Sequence, residues 1–136
     1  MEKTQAISEW YDSIYAALKA DSGLRKYVTN IYNYLPKRVT IPYLRLRMVN
    51  YNNLHMLSNF AIKARFSCDI YTYHVGSVFA ITRHINLILK SMKDSNNGTI
   101  LESNFAMDQH DEILHSTVNF DIFLKGGNNE QITAKN

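Results

Sequence analysis

The spacing of apolar and polar residues predicts two amphipathic helices in this chain. In residues 5–20, large apolar residues recur every three or four positions with polar residues between them, as on one face of a helix. After Tyr73 the spacing changes from two residues to 3.6, which produces an apolar stripe of Val78, Ile81, Ile85, Ile88, Leu89 and Met92. We expect His74 or Ser77 to cap the start of this second helix and the sequence SNNG at residues 95–98 to stop it.

Strict alternation of apolar and polar residues predicts four strands, at residues 43–49, 61–71, 99–105 and 112–125. The Asn-rich sequence NYNNLHMLSN between the first two strands is interpreted as the connection of a hairpin. The order of elements is then α-β-β-α-β-β. This order indicates an α+β fold, with an antiparallel sheet of about four strands and helices packed on one of its faces.

Length and composition indicate one domain. The chain has 136 residues, and we expect residues 1–125 to form the domain and the polar residues 126–136 to form a flexible tail. No window approaches the roughly 18 consecutive apolar residues of a membrane span, and no apolar run near the N-terminus indicates a secretory signal, so we expect synthesis and folding in a cytoplasm. Cys68 is the only cysteine, which excludes an intrachain disulfide.

The polar residues do not have the spacing of a catalytic site. Gly76 and Ser77 lack the flanking residues of a GxSxG nucleophile motif, and His74 and His84 are ten residues apart, so they cannot share a helix face. The sequence also contains no glycine-rich phosphate loop, CxxC motif or EF-hand. We therefore expect no enzymatic activity, no catalytic residues and no cofactor.

A second polar cluster, DQHDEILH at residues 108–115, contains carboxylates and imidazoles but not the HExxH arrangement of a zinc site. A solvated hairpin turn is the simpler explanation, and adventitious metal binding is the alternative. We therefore expect no metal site.

Basic residues at strand spacing form the most informative polar pattern. If the first two strands pair, Arg45 and Arg47 lie near Lys63 and Arg65, where like charges cost about 0.2–1 kcal/mol per facing pair. Three anionic partners can offset them: Asp69 and Asp121 on the same face together with solvent, carboxylates of a neighbouring subunit, or nucleic-acid phosphates. The aromatic residues on that face favour a subunit contact; these are Tyr43, Tyr71 and Phe123.

The predicted hairpin connection also carries Leu54, Met56 and Leu57. Three large apolar side chains are unfavourable in water at an isolated tip. Either a partner surface covers them, or the connection folds back onto the sheet.

Four segments of the chain, between about residues 14 and 125, resemble the small tail-completion proteins of long-tailed, non-contractile phages, the group that includes the phage lambda tail terminator and relatives in prophages and gene transfer agents. The segments are IYAALKADSGLRKYV, NIYNYLPKRVTIPYLRLRM, FSCDIYTYHVGSVFAITRHINLILKSM and HSTVNFDIFL. Their order and spacing carry the resemblance. Asn30 departs from it, because an Arg often stands before the Ile-Tyr pair in that family.

The resemblance implies a non-enzymatic structural protein of the virion tail. Such a protein assembles as a ring, expected to be a hexamer, on the head-proximal end of the tail tube, where it stops tube polymerisation and joins the head. Its partners are other copies of itself, the tail tube protein and a head or neck connector protein, with no membrane and no specific nucleic acid.

From the residues themselves we expect partner or subunit contacts at Leu54, Met56, Leu57, Arg45, Arg47, Lys63, Arg65, Asp69, Asp121 and Phe123. Two alternatives stay open. One is another neck or head-closure adaptor, and the other is a nucleic-acid-binding accessory protein that uses the basic face.

Overall fold

The computed structural model describes residues 3–55, 60–92, 94–95 and 98–125. Its elements are α1 (Lys3–Ala20), a 3-10 turn (Leu24–Lys26), β1 (Asn30–Tyr32), β2 (Tyr43–His55), β3 (Phe60–Thr72), α2 (Val75–Ser91), β4 (Asp94–Ser95), β5 (Gly98–His110) and β6 (Ile113–Lys125). The predicted tail, residues 126–136, lies outside the described residues. Neither described helix is long and apolar enough to cross a membrane.

Both predicted helices are present. The apolar stripe of α2 is buried from Val78 to Leu89, and Met92, the residue that caps its C-terminus, packs partly buried against the core. His74 is the N-cap residue of α2, but its side chain makes no capping hydrogen bond. The helix ends at Ser91, a few residues before the predicted stop.

The α+β prediction is confirmed, whereas the prediction of a purely antiparallel sheet of about four strands is wrong. The described residues form a six-stranded mixed sheet in the order β1-β2-β3-β6-β5-β4. Strand β1 runs parallel to β2, and all other neighbours are antiparallel. The two added strands have only three and two residues, which is too short for alternation to be recognised.

Strand β2 is much longer than its pattern predicted. Residues 50–55, interpreted above as the hairpin connection, continue β2 and pair with residues 60–65 of β3 after a bulge between Met48 and Asn50. The rest of the predicted connection, residues 56–59, lies outside the described part. Asparagine has a low intrinsic preference for strands, so the partner strand, rather than local preference, holds this segment extended.

Both helices pack on the same face of the sheet. The buried residues of α1 are Ile7, Trp10, Ile14 and Leu18. They join the α2 stripe and the even-numbered residues of β3 and β6 in one core; those strand residues are Ile62, Ala64, Phe66, Cys68, Ile70, Val118, Phe120, Ile122 and Leu124. The Phe66 ring stands edge-on to the rings of Tyr11 and Phe120, with centroids 6.0 and 5.8 Å away.

The opposite face of the sheet carries the odd-numbered residues of β3 and β6, with Tyr43, Arg45 and Arg47 of β2. We call it the bare face, because among the described elements no helix or strand packs over it. Most of the predicted contact residues lie on this face.

Candidate functional site

The register between β2 and β3 separates the basic residues on the bare face. Arg45 lies opposite Asp69 and Arg47 opposite Ser67, whereas Arg65 and Lys63 lie opposite asparagines of β2. The prediction that the two arginines of β2 face the two basic residues of β3 is therefore wrong. The cause is the length of the hairpin. Arg45 and Arg47 lie opposite the second half of β3, whereas Lys63 and Arg65 lie opposite the second half of β2.

Carboxylates of the same chain hold three of the four basic side chains. Arg47 Nε donates a hydrogen bond of 2.9 Å to Asp69 Oδ2, and the Ser67 hydroxyl lies 3.0 Å from Asp69 Oδ1. This bond and burial act in opposite directions on the pKa of Arg47, and the bond is the stronger effect, so the pKa is raised. Asp69 is buried beneath these partners.

The second carboxylate, Asp121, forms ion pairs with two basic side chains. Arg65 Nε donates to Asp121 Oδ1 at 2.8 Å and Arg65 Nη2 to Asp121 Oδ2 at 3.2 Å, which is a bidentate arrangement. Lys63 Nζ lies 3.7 Å from Asp121 Oδ2. The hydrogen bond from Arg65 is the main cause of the lowered pKa of Asp121, and burial partly opposes it.

Arg45 differs from the other three basic residues, since no ion pair or hydrogen bond involves its side chain within the described ranges. Its Nε is buried without a hydrogen-bond partner. Its charge lies close enough to Tyr11 to lower the pKa of that phenol, although burial is the larger effect and raises it. A guanidinium with unused donors is available to a partner carboxylate.

A row of rings crosses the bare face. Tyr32, Tyr43, Tyr71 and His115 come from β1, β2, β3 and β6, and their ring centroids are 5.7, 4.8 and 4.4 Å apart in that order. The Tyr71 and His115 rings are nearly parallel, at 7°. Tyr43 is only 6% exposed because its neighbours enclose it. Tyr43 and Tyr71, which the sequence suggested as contact residues, therefore contribute to the packing of their own sheet. Phe123, the third aromatic residue suggested, is half-buried at the other end of β6.

The two ends of the sheet differ in chemistry. Leu54 lies near the end where β2 passes to β3 and is 37% exposed; Met56 and Leu57 are outside the described residues. At the opposite end, β5 turns into β6 through Asp111 and Glu112, and Asp108 lies 3.3 Å from His110. Asp111 adopts a left-handed conformation, φ 56°, which Asp tolerates better than most residues in tight turns.

No catalytic or metal-binding geometry appears in the described ranges. His84 Nδ1 lies 3.4 Å from Asp21, while His74 is at the start of the same helix. In this part of the chain, no group of three or more His, Cys, Asp or Glu side chains is arranged to hold a metal ion. The exposed acidic residues at the β5–β6 turn form a hairpin turn in contact with solvent.

An exposed apolar strip along β5 was not identified from the sequence. Phe79 of α2 is 56% exposed and its ring lies 6.2 Å from that of Phe105, which is 39% exposed; Met107 follows at 42%. Phe105 and Met107 occupy alternate positions of β5 on the helix-bearing face. The available signals were this alternation and the position of Phe79 off the buried stripe of α2.

Comparison with known proteins supports a structural role in a virion. Residues 12–125 match the family described as "Tail completion protein gp17". No curated protein sequence matches this chain. Among solved structures, the fold is similar to a chain in the "Virion of native gene transfer agent (GTA) particle", with a TM-score of 0.63 and 14% identity over 83% of this chain and 92% of that chain.

The family match confirms the resemblance to phage tail completion proteins and the prediction that the chain is not an enzyme. At 14% identity, the structural match shows a shared fold. The chain belongs to the family of tail completion proteins gp17, which are structural proteins of the virion tail.

Proposed function

We propose that this chain closes the head-proximal end of the tail tube as a ring, which stops polymerisation of the tube protein and offers a surface to the head or neck. The observation that carries this proposal is the family match over residues 12–125. A ring closed by rotation uses two different surfaces on each copy. The resemblance described above implies six copies, with the tube protein on one side and a head or neck connector on the other.

The contrast between the two ends of the sheet supports capping by geometry. The β2–β3 end presents Leu54, which Met56 and Leu57 follow in the sequence, whereas the β5–β6 end presents Asp108, Asp111 and Glu112. If every copy in the ring points the same way, one side is apolar and the other is acidic. A ring with unlike sides can bind the last ring of tube protein and present no equivalent surface for the next one.

The charged residues of the bare face have a more limited role in this proposal. Arg47, Lys63 and Arg65 already face Asp69 or Asp121, so only rearrangement frees them for another subunit. Pairing within the chain also weakens the case for binding phosphates through this face. Subunit or tube contacts by these residues and Phe123 stay predictions.

The proposal is tested by deleting the gene for this chain from a genome that encodes the particles. The lengths of the tails that are then produced are measured by electron microscopy. Tails without the cap are expected to exceed the normal length and to lack heads, and the wild-type chain should restore both properties. Tails of normal length in its absence contradict the proposal. If such tails also fail to join heads, the alternative of a neck or head-closure adaptor is favoured.

The predicted contact at the β2–β3 end is tested by replacing both Met56 and Leu57 with Asp. The double variant should fold as a monomer but fail to restore normal tail length, because two carboxylates at an apolar contact resist desolvation. The control is Leu87→Asp, which introduces one carboxylate at a 56% exposed position on α2. Full restoration by the double variant contradicts the assignment of these residues.

A further inference from the structure

The sheet has a free edge on each side, and together the two edges point to a mode of ring assembly. Strand β1 pairs with β2 only up to Arg45, and β4 pairs with β5 only at Gly98 and Thr99. Within the described ranges, residues 47–52 of β2 and residues 103–110 of β5 therefore have a neighbouring strand on one side only. On each edge, alternate residues direct their N–H and C=O groups outward without a strand to receive them.

Apart from the bulge between Met48 and Asn50 and the charges of Arg47 and Asp108, neither edge carries the usual protection against pairing. Natural proteins block exposed edges with proline, lysine or very short strands. Residues 47–52 (RMVNYN) and 103–110 (SNFAMDQH) contain no proline and no lysine. Both stretches belong to 13-residue strands, so each is long enough to accept another strand.

The directions of the strands make these two edges compatible in a ring. Strand β2 is antiparallel to β3, β3 to β6 and β6 to β5, so β2 and β5 of one chain run in opposite directions. Rotation about an axis roughly parallel to the strands preserves strand direction and keeps the helices of every copy on the same side. Strand β5 of one copy then meets β2 of the next as an antiparallel neighbour.

The apolar side chains also match across this contact. A cleft of about 390 Å³ lies beside the start of the β2 edge, on the side of α1; it is lined by Ile7, Ser8, Tyr11, Asn33, Arg45, Arg47 and Met48. Phe105 and Met107 project from β5 on the corresponding helix-bearing face and are partly exposed. Antiparallel pairing brings the final residues of β5 next to the first free residues of β2, where the cleft lies.

The charges favour pairing of β5 with β2. The start of β2 carries Arg45, which has no ion pair in the described part of the chain, and the end of β5 carries Asp108, whose side chain is 71% exposed. Asp111 and Glu112 lie just beyond. Pairing of β5 with β2 places these opposite charges together.

From these observations we infer that β5 of one copy pairs with β2 of the next, so that the assembled ring contains one continuous sheet with the helices on a single side. The inference rests on the proposed ring. It assigns the subunit contact to the two edges of the sheet and to the cleft beside Met48, and it leaves the ends of the strands for the tube and the connector.

Cysteine cross-linking within assembled tails tests the inference. Asn52 and Ala106 are exposed bare-face residues on the two edges, and facing residues in an antiparallel pair have Cβ atoms about 4.5–5.5 Å apart. Tails carrying Asn52→Cys with Ala106→Cys, and a second set with Asn50→Cys in place of Asn52→Cys to sample another register, are treated with a mild oxidant or a short bis-maleimide. The native Cys68 is buried and should not compete.

A ladder of covalent multimers from either double variant, with monomers only from each single variant, is the expected result. The control pair combines Asn52→Cys with Thr117→Cys, which lies on the bare face of the central strand β6 and should give no ladder. Dimers from Asn52→Cys alone would overturn the inference, since they indicate β2–β2 pairing. Tails that contain the chain but give no ladder in either register also overturn it, whereas absence of the chain from tails refutes the proposed function itself.

If the cysteine variants do not enter tails, lysine substitutions decide the question. Asn52→Lys and Ala106→Lys each place a charge on one edge and should leave the unfolding midpoint of the monomer unchanged while preventing incorporation into tails. Incorporation of both at the wild-type level contradicts edge pairing. Proper folding combined with loss of incorporation for each variant supports it.

Discussion

Replacing Gly98 with alanine is expected to destabilise the chain, because the structure leaves no room for a methyl group at this position. A Cβ atom at Gly98 would lie 2.6 Å from Trp10 Nε1 and 2.7 Å from Leu124 Cδ2. Both are far inside ordinary van der Waals contact. Trp10 is fully buried on α1, and Leu124 belongs to the same core, so neither side chain can turn outward into solvent.

The magnitude follows from the cost of overpacking. Inserting a methyl group into a closely packed core costs about 1–3 kcal/mol of unfolding free energy. With a urea dependence of about 2 kcal/mol per M for a small domain, a loss of 2 kcal/mol lowers the unfolding midpoint by about 1 M urea. The backbone of Gly98 has no positive φ, so the loss comes from contact and not from backbone strain.

Gly76→Ala provides the matched control, because a Cβ atom there has no neighbour within 4 Å. Gly76 lies in the first turn of α2, where alanine should raise the unfolding free energy by about 0.4–1 kcal/mol through the lower entropy of the unfolded chain. The same chemical change should therefore have opposite effects at the two positions.

Urea unfolding followed by the fluorescence of Trp10, the only tryptophan, measures both variants. Trp10 itself lines the Gly98 position, so the substitution can change its fluorescence locally. Circular dichroism is therefore measured as a second signal, and it should give the same unfolding midpoints. Leu124→Val should lower the unfolding free energy less in the Gly98→Ala variant than in the wild type, because the smaller side chain relieves the contact with the new methyl group. A Gly98→Ala variant as stable as the wild type, or strictly additive effects of the two substitutions, would show that this packing is wrong.

Three further predictions concern single side chains. The hydrogen bond from Arg65 holds the pKa of Asp121 below its ordinary value of 3.8, so the stabilisation is complete above about pH 5 and is lost as the pH falls through the lowered pKa. The thermal unfolding midpoints of wild type and Asp121→Asn should therefore approach each other as the pH falls below about 5, and a difference that is equal at all pH values argues against the ion pair. Burial raises the pKa of the Cys68 thiol, so a thiol reagent should label it only in urea, and rapid labelling of the folded chain contradicts its burial. Arg45→Gln should leave the thermal unfolding midpoint nearly unchanged, whereas Arg47→Gln should lower it because Asp69 loses its ion pair. An equal decrease for both variants would contradict the difference between the paired Arg47 and Arg45, which has no ion pair among the described residues.

The faces of the long elements could be predicted from the sequence because burial imposes a period. The alternation of residues 61–71 and 112–125 identified the core side of β3 and β6, and the stripe of α2 identified the side that packs on the sheet. These periods arise from contact of each element with a single core. They predicted an α+β fold with helices on one face.

The extent and pairing of the strands could not be predicted in the same way. Residues 50–54 and 106–110 are exposed, so burial gives them little periodicity, and neighbouring strands hold them extended. The longer hairpin changed which residues face Arg45 and Arg47, and with it the predicted repulsion. The register of a hairpin depends on the length of its turn, which an Asn-rich sequence without a defined turn motif does not fix.

Only part of the candidate site could be predicted from the sequence, for the same reason. Charges at strand spacing correctly located the bare face, but their pairing with Asp69 and Asp121 depends on the register. The free edges and the Phe105–Met107 strip depend on which strand lies at each margin of the sheet, which is a property of topology rather than of local sequence. The contact role of Leu54 stays a prediction.

Cryo-electron microscopy of the junction between head and tail in intact particles would show directly whether this chain caps the tube. We expect a single closed ring of this chain between the last ring of tube protein and the neck, with every copy in the same orientation. Copies distributed along the tube, or attached to the head without contacting the tube, would contradict it.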